Sequence, residues 1–153
     1  MKSHSWIDLV ERYSRFEEQF EGSVPTQASD VAIEIMMQSA HNDGLFVPDA
    51  YLAFLKIRNG ASFNGLMMYG ADIAEDDCCR RLDLILMNQY HFCREDATVL
   101  GTNDIDVYVV VGPKGPYRRL DRGSWDTIDE FQTCDELLLS IFTAQAEEIE
   151  RLD

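Results

Sequence analysis

A proline-led amphipathic segment that stops at Asn59-Gly60 and passes at once into a short run apolar on both faces constrains this chain more than any other feature. Pro48 suits a first helical turn, where its missing N–H would have no partner, and Asp49 complements the positive end of the helix dipole. Tyr51, Leu52, Phe54 and Leu55 recur with helical spacing and form one broad apolar face, with Ile57 beside it. Asn59-Gly60 supplies residues that tolerate the left-handed conformation that ends a helix. Asn64-Gly65 is a turn pair, and Leu66-Met67-Met68-Tyr69 beyond it predicts a central strand.

The flanking sequence supplies the rest of a single α+β domain over 1–153. Ser5 with Asp8 makes an approximate capping box, and Trp6, Ile7, Leu9, Val10, Tyr13, Phe16 and Phe20 predict a helix over about 6–20. Gly22-Ser23-Val24-Pro25 breaks it. A second helix is expected from Ser29 to Ala40, with Val31, Ala32, Ile35, Met36 and Met37 as its apolar side, ended by His41-Asn42-Asp43-Gly44. Leu82, Ile85, Leu86 and Met87 predict another between Cys78 and about Tyr90. From Ala97 the period becomes that of strands: Ala97–Leu100, Val107–Val111, Tyr117–Leu120 and Thr127–Phe131. Asn103-Asp104, Gly112–Pro116 and Asp121–Ser124 are the turns of an antiparallel meander. Thr133 and Glu136 form a capping box for a closing helix carrying Leu137, Leu138, Ile141 and Phe142, while the polar tail 147–153 is expected to fray. The core thus spans 29–142, with helices packed against one antiparallel or mixed sheet.

Charge is the strongest global property: 28 acids against 13 bases give a formal net of −15. A field of that sign repels phosphates and anionic headgroups and accelerates encounter with a basic partner, so direct nucleic-acid binding is not expected. No apolar run reaches the length of a membrane span, and the start of the chain lacks the pattern of a secretory signal. Cys78, Cys79, Cys93 and Cys134 form no disulfide framework, which fits reduced thiols and a cytoplasmic address.

The Pro-acid-x-Tyr-x-x-Phe-Leu helix, the Asn-Gly stop and the Asn-Gly-Leu-x-x-Tyr-Gly strand together resemble the signature of the SUKH superfamily, and the remainder resembles its YrhA-like branch. The resemblance continues through Thr98–Gly101, Asp106–Val110, Tyr117–Arg122, Phe131 and Asp135–Leu138, covering about Ile33 to Phe142. It implies a helix-and-sheet fold and a non-catalytic, protein-binding role. Many bacterial members of that superfamily are immunity proteins that neutralise polymorphic toxins, often nucleases. A regulatory adaptor for endogenous proteins is the alternative that the fungal branch implies.

On this reading the partner is a basic toxin domain, and the expected contact residues are the acidic run Asp72, Glu75, Asp76 and Asp77, the turn acids Asp104 and Asp106, and a partly exposed Trp125. No cofactor is expected. An enzyme or metal protein is the third reading, because His91-x-Cys93 with Cys78 and Cys79 offers nitrogen and sulfur ligands, although their spacing matches no common zinc module. Asp104 and Asp106 lack the further ligands of a calcium loop, and Gly112-Pro113-Lys114-Gly115 lacks the full phosphate-loop pattern. Tyr51, Phe54, Tyr69 and Tyr108 fall on buried periods and read as core.

Overall fold

Local capping chemistry sets the helix starts. A computed structural model describes residues 5–71 and 82–152. Ser5 caps α1 (Trp6–Glu21) by accepting from the Asp8 N–H, and Ser29 caps α2 (Asp30–Asn42) by accepting from the Ala32 N–H at 3.1 Å. Pro48 precedes α3 (Asp49–Ile57), with Asp49 in its first turn. Thr133 Oγ1 accepts from the Glu136 N–H and opens α5 (Cys134–Leu152). The reciprocal carboxylate of that box accepts from the Gln132 N–H at 2.9 Å, one residue earlier than an ideal box places it.

Among the described residues six strands form one antiparallel sheet in simple meander order: β1 (Ala61–Phe63), β2 (Leu66–Met68), β3 (Thr98–Thr102), β4 (Asp106–Val110), β5 (Tyr117–Asp121) and β6 (Thr127–Phe131). The fold is α+β. Asn64 and Gly65 both adopt positive φ in the two-residue turn between β1 and β2, the backbone such a hairpin requires. Directly opposed residues share a sheet face, so Tyr108, Val110 and Tyr117 lie on one side, close to charged groups of α5, while Val107 and Leu120 lie on the other. All five residues of β4 are buried, since both faces of this central strand are covered. Tyr51, Phe54, Tyr69 and Tyr108 are core residues, as their periods predict.

Several expectations are corrected. α3 ends at Ile57, and Arg58 leaves the helix in an extended conformation; the positive φ falls on Gly60 and not on Asn59. A Cβ at Gly60 would sit 2.7 Å from the Met68 carbonyl, so the close approach of β2 demands glycine there. On α2 the buried face is Ile33, Met36 and Ala40, leaving Val31 65% exposed and Ile35 half in water. The helix expected from Cys78 is described only from Leu84: α4 (Leu84–Leu86), capped by Asp83, continues as a π-helical segment, Met87–Phe92. The cause of that placement is Asn88. Its amide donates to the Leu84 and Val99 carbonyls and accepts from the Val99 N–H, tying the segment to β3. The C-terminal tail is helical to Leu152, because Ile149 is buried and Glu150 pairs with Arg12 at 2.7 Å.

Arg58 is the most deeply buried cation among the described residues. Its Nε donates to the Gly60 carbonyl, and its terminal nitrogens donate to Ser14 Oγ and Glu17 Oε2 at 2.9 and 2.6 Å. The guanidinium lies over the Tyr13 ring at 5.1 Å, so it joins α1 to the α3–β1 junction.

Candidate functional site

The meander brings three turns to one end of the sheet: Asn64-Gly65, the β3–β4 turn and the β5–β6 turn. Asp104 lies beside Gly65, where a Cβ would meet its carboxylate oxygen at 3.2 Å. Arg122 joins the other two turns, since its N–H donates to the Ile105 carbonyl at 2.8 Å and its guanidinium donates to the Asn103 carbonyl at 2.9 Å. Asn103 organises its own turn, its side chain accepting from the N–H groups of Ile105 and Asp106.

Asp121 builds the β5–β6 turn. Its carboxylate accepts from the Gly123 and Ser124 N–H groups at 3.0 and 2.8 Å and from the Ser124 hydroxyl at 3.1 Å. These bonds, led by the Ser124 backbone, hold its pKa below the ordinary aspartate value. The Trp125 N–H donates back to the Asp121 carbonyl, and Trp125 is held at φ 64°, a conformation bulky residues seldom adopt.

Trp125 therefore stands half-buried at the rim of an open concavity of about 310 Å³ lined by His91, Phe92, Arg94, Val107, Arg122 and Trp125. The Arg94 guanidinium lies over the indole at 4.1 Å, and Phe92 meets it edge-on at 6.1 Å. Behind Phe92 is Tyr69, whose pKa is raised by burial and partly held down by a hydrogen bond with Thr102 and by the Arg122 charge. Cys93, also at positive φ, turns the chain between Phe92 and Arg94.

The expected contact residues divide. Asp72, Glu75, Asp76 and Asp77 lie outside the described residues, as do Cys78 and Cys79. Asp104 is exposed, next to Ile105, which is 69% exposed. Asp106 is 4% exposed and faces Asn103 at 3.3 Å and Arg119 at 3.6 Å, so its carboxylate is engaged inside the fold. Arg119 also holds Asp129 on β6, and Arg118 holds Glu130 at 3.1 Å. β6 forms the outer edge, with Ile128 exposed at the bulge that interrupts its pairing. Asp104 and Ile105 are thus exposed on the β3–β4 turn, and Asp126 and Ile128 where the chain enters β6, a part of the turn end that the sequence reading did not include.

His91 is exposed and packs edge-on against Phe92 at 4.7 Å. Among the described residues no group of three or more His, Cys, Asp or Glu side chains could hold a metal ion. Among them, too, no helix is long and apolar enough to cross a membrane. The cationic concavity was missed in the sequence because Arg94, Arg122 and Trp125 are brought together only by the sheet; the signal available was a tryptophan directly after a turn. No protein-family model matches this chain, and no curated protein matches it.

Proposed function

We propose that this chain is a non-catalytic protein-binding module, an immunity protein of the SUKH kind that acts in the cytoplasm by binding and occluding the toxic domain of a cognate, basic polymorphic toxin. The observation that carries the reading is the acidic turn end: exposed Ile105 beside Asp104 on the β3–β4 turn and exposed Ile128 near Asp126 at the start of β6, on a chain of net charge −15. Apolar anchors inside a charged rim are the anatomy of a protein interface, and like-signed carboxylates steer a basic partner toward it. The arginines and lysines that a nuclease uses against phosphate are suitable counterparts, so covering them would block substrate. Arg122 and the Asp121 turn keep the β3–β4 and β5–β6 turns in fixed relation, which lowers the ordering cost of association.

Co-expression with the toxic domain encoded by the adjacent gene tests this reading. Rescue of growth and a purified complex whose association slows as salt rises are the expected results. Unrescued growth together with no complex would overturn it.

A further inference from the structure

The concavity beside Trp125 has a charge opposite to that of the surrounding surface. In a chain with more than twice as many acids as bases, its lining among the described residues contributes Arg94, Arg122 and His91 and no carboxylate. Its apolar wall is Phe92, Trp125 and Val107.

Backbone strain is concentrated at its edge. Of the three non-glycine residues described with positive φ, Cys93 and Trp125 border this concavity, the third being Asn64 of the hairpin turn. Such conformations cost on the order of 1–3 kcal/mol each and persist where the surroundings impose them. Here the Asp121 turn imposes one, and the end of the π-helical segment imposes the other, the Cys93 N–H donating to the Asn88 carbonyl. π-Helical turns recur at functional sites because they redirect side chains without ending the helix. This one presents His91 and Phe92 to the concavity.

The guanidinium groups retain capacity. Arg122 spends one donor on the Asn103 carbonyl, and Arg94 meets Asp96 only at 3.9 Å. An arginine carries five N–H donors, so both have donors left for a ligand. Arginine beside aromatic faces matches a phosphate or carboxylate attached to a flat ring.

We propose that this concavity binds a small organic anion with a planar ring, of the mononucleotide class. Arg94 and Arg122 take the anionic group, and Phe92 and Trp125 pack against the ring. A volume of about 310 Å³ lies at the lower end of small-ligand sites, which suits one nucleotide and not an oligomer. The net charge disfavours a long polyanion, while a single anion senses chiefly the nearby guanidinium groups. The inference is independent of toxin binding.

Calorimetric titration of the full chain at low salt with AMP, adenosine and inorganic phosphate tests it, with the Trp125 indole N–H followed by NMR. AMP should bind one to one, more tightly than adenosine or phosphate, and shift the Trp125 signal. Arg94→Gln and Arg122→Gln should each weaken binding about tenfold, and Trp125→Leu by a similar factor. Circular dichroism and thermal melting establish that the variants remain folded, and Glu34→Gln, on the exposed side of α2, should bind as the wild type does. Absence of AMP binding at millimolar concentration would overturn the proposal. So would undiminished binding in a folded Arg94→Gln/Arg122→Gln protein, or phosphate binding as tightly as AMP.

Discussion

Among the described residues two arginines lie over aromatic rings, and they do different work. Arg58 covers Tyr13 at 5.1 Å with 1% of its surface exposed, and each of its three nitrogens donates a hydrogen bond. Arg94 covers Trp125 at 4.1 Å at the surface, and among the described residues its carboxylate partner is Asp96 at 3.9 Å. Burial decides the difference. A desolvated cation without partners would cost several kcal/mol, so the interior gives every Arg58 nitrogen an acceptor and uses the residue to join α1 to the α3–β1 junction. At the rim water stands in for missing partners, and a guanidinium can be left with donors to offer.

Breaking the buried pair should have the largest effect. Arg58→Met leaves Glu17 buried without its counter-charge and should cost about 3–5 kcal/mol in urea unfolding, whereas Arg58→Met/Glu17→Leu should recover much of it. The same variant sharpens the comparison through pH. Burial already raises the Glu17 pKa, with Arg58 opposing it, so loss of Arg58 raises it further. A carboxyl whose folded pKa lies above its unfolded value destabilises the fold above that folded pKa and is relieved as pH falls. The deficit of Arg58→Met should therefore shrink on acidification from pH 7, as measured by urea midpoints across a pH series. A constant deficit would contradict this role for Glu17.

Thiol accessibility separates the same two regions. Burial pushes the Cys134 thiol up to about 12, and Tyr51 packs against it, whereas Cys93 is exposed between Phe92 and Arg94. At pH 8 iodoacetamide should modify Cys93 at least about a hundredfold faster than Cys134, read by peptide mass spectrometry, because thiolate and access are both required.

Smaller effects are expected at the rim. Arg94→Gln should change stability by no more than about 0.5 kcal/mol, and Arg122→Gln, which loses one bond between turns, by about 0.5–1.5 kcal/mol. A larger loss would mean that the concavity is part of the structural framework. Last, Asp121 has a depressed pKa, so its contribution is present above the unfolded aspartate pKa and is lost as pH falls through the lower folded value. The Trp125 indole NMR signal should stay fixed down to about pH 4 and move only below it, since ordinary aspartate titrates near 3.9.

The comparison also shows what the sequence made legible. Ser5, Ser29 and Thr133 act on N–H groups three residues away, and Asn64-Gly65 closes its own hairpin, so local reading placed those elements well. The strand run from Thr98 to Phe131 was equally legible because turn residues separate each pair. Arg58 was not legible. It follows an amphipathic helix as an ordinary surface residue would, and its partner Glu17 lies 41 positions earlier on α1. Asn88 likewise looks like a polar helix residue until β3 supplies Val99. Val31 and Ile35 misled because periodicity identifies an apolar face without saying how much of it the fold covers. At the candidate site Trp125 was foreseen as partly exposed, but its setting against Arg94, Phe92 and Arg122 is tertiary. Asp106 reads as a turn acid and is instead held inside by Arg119.

The central claim is that the acidic turn end captures a basic partner, and its most direct test is the association rate constant with the toxic domain encoded by the adjacent gene. It should be measured from low to high salt for wild type and for Asp104→Asn/Asp126→Asn. The account predicts that wild-type association is faster at low salt by about tenfold or more and that the variant loses most of that advantage while remaining folded. Identical rates and identical salt dependence for the two proteins would contradict it.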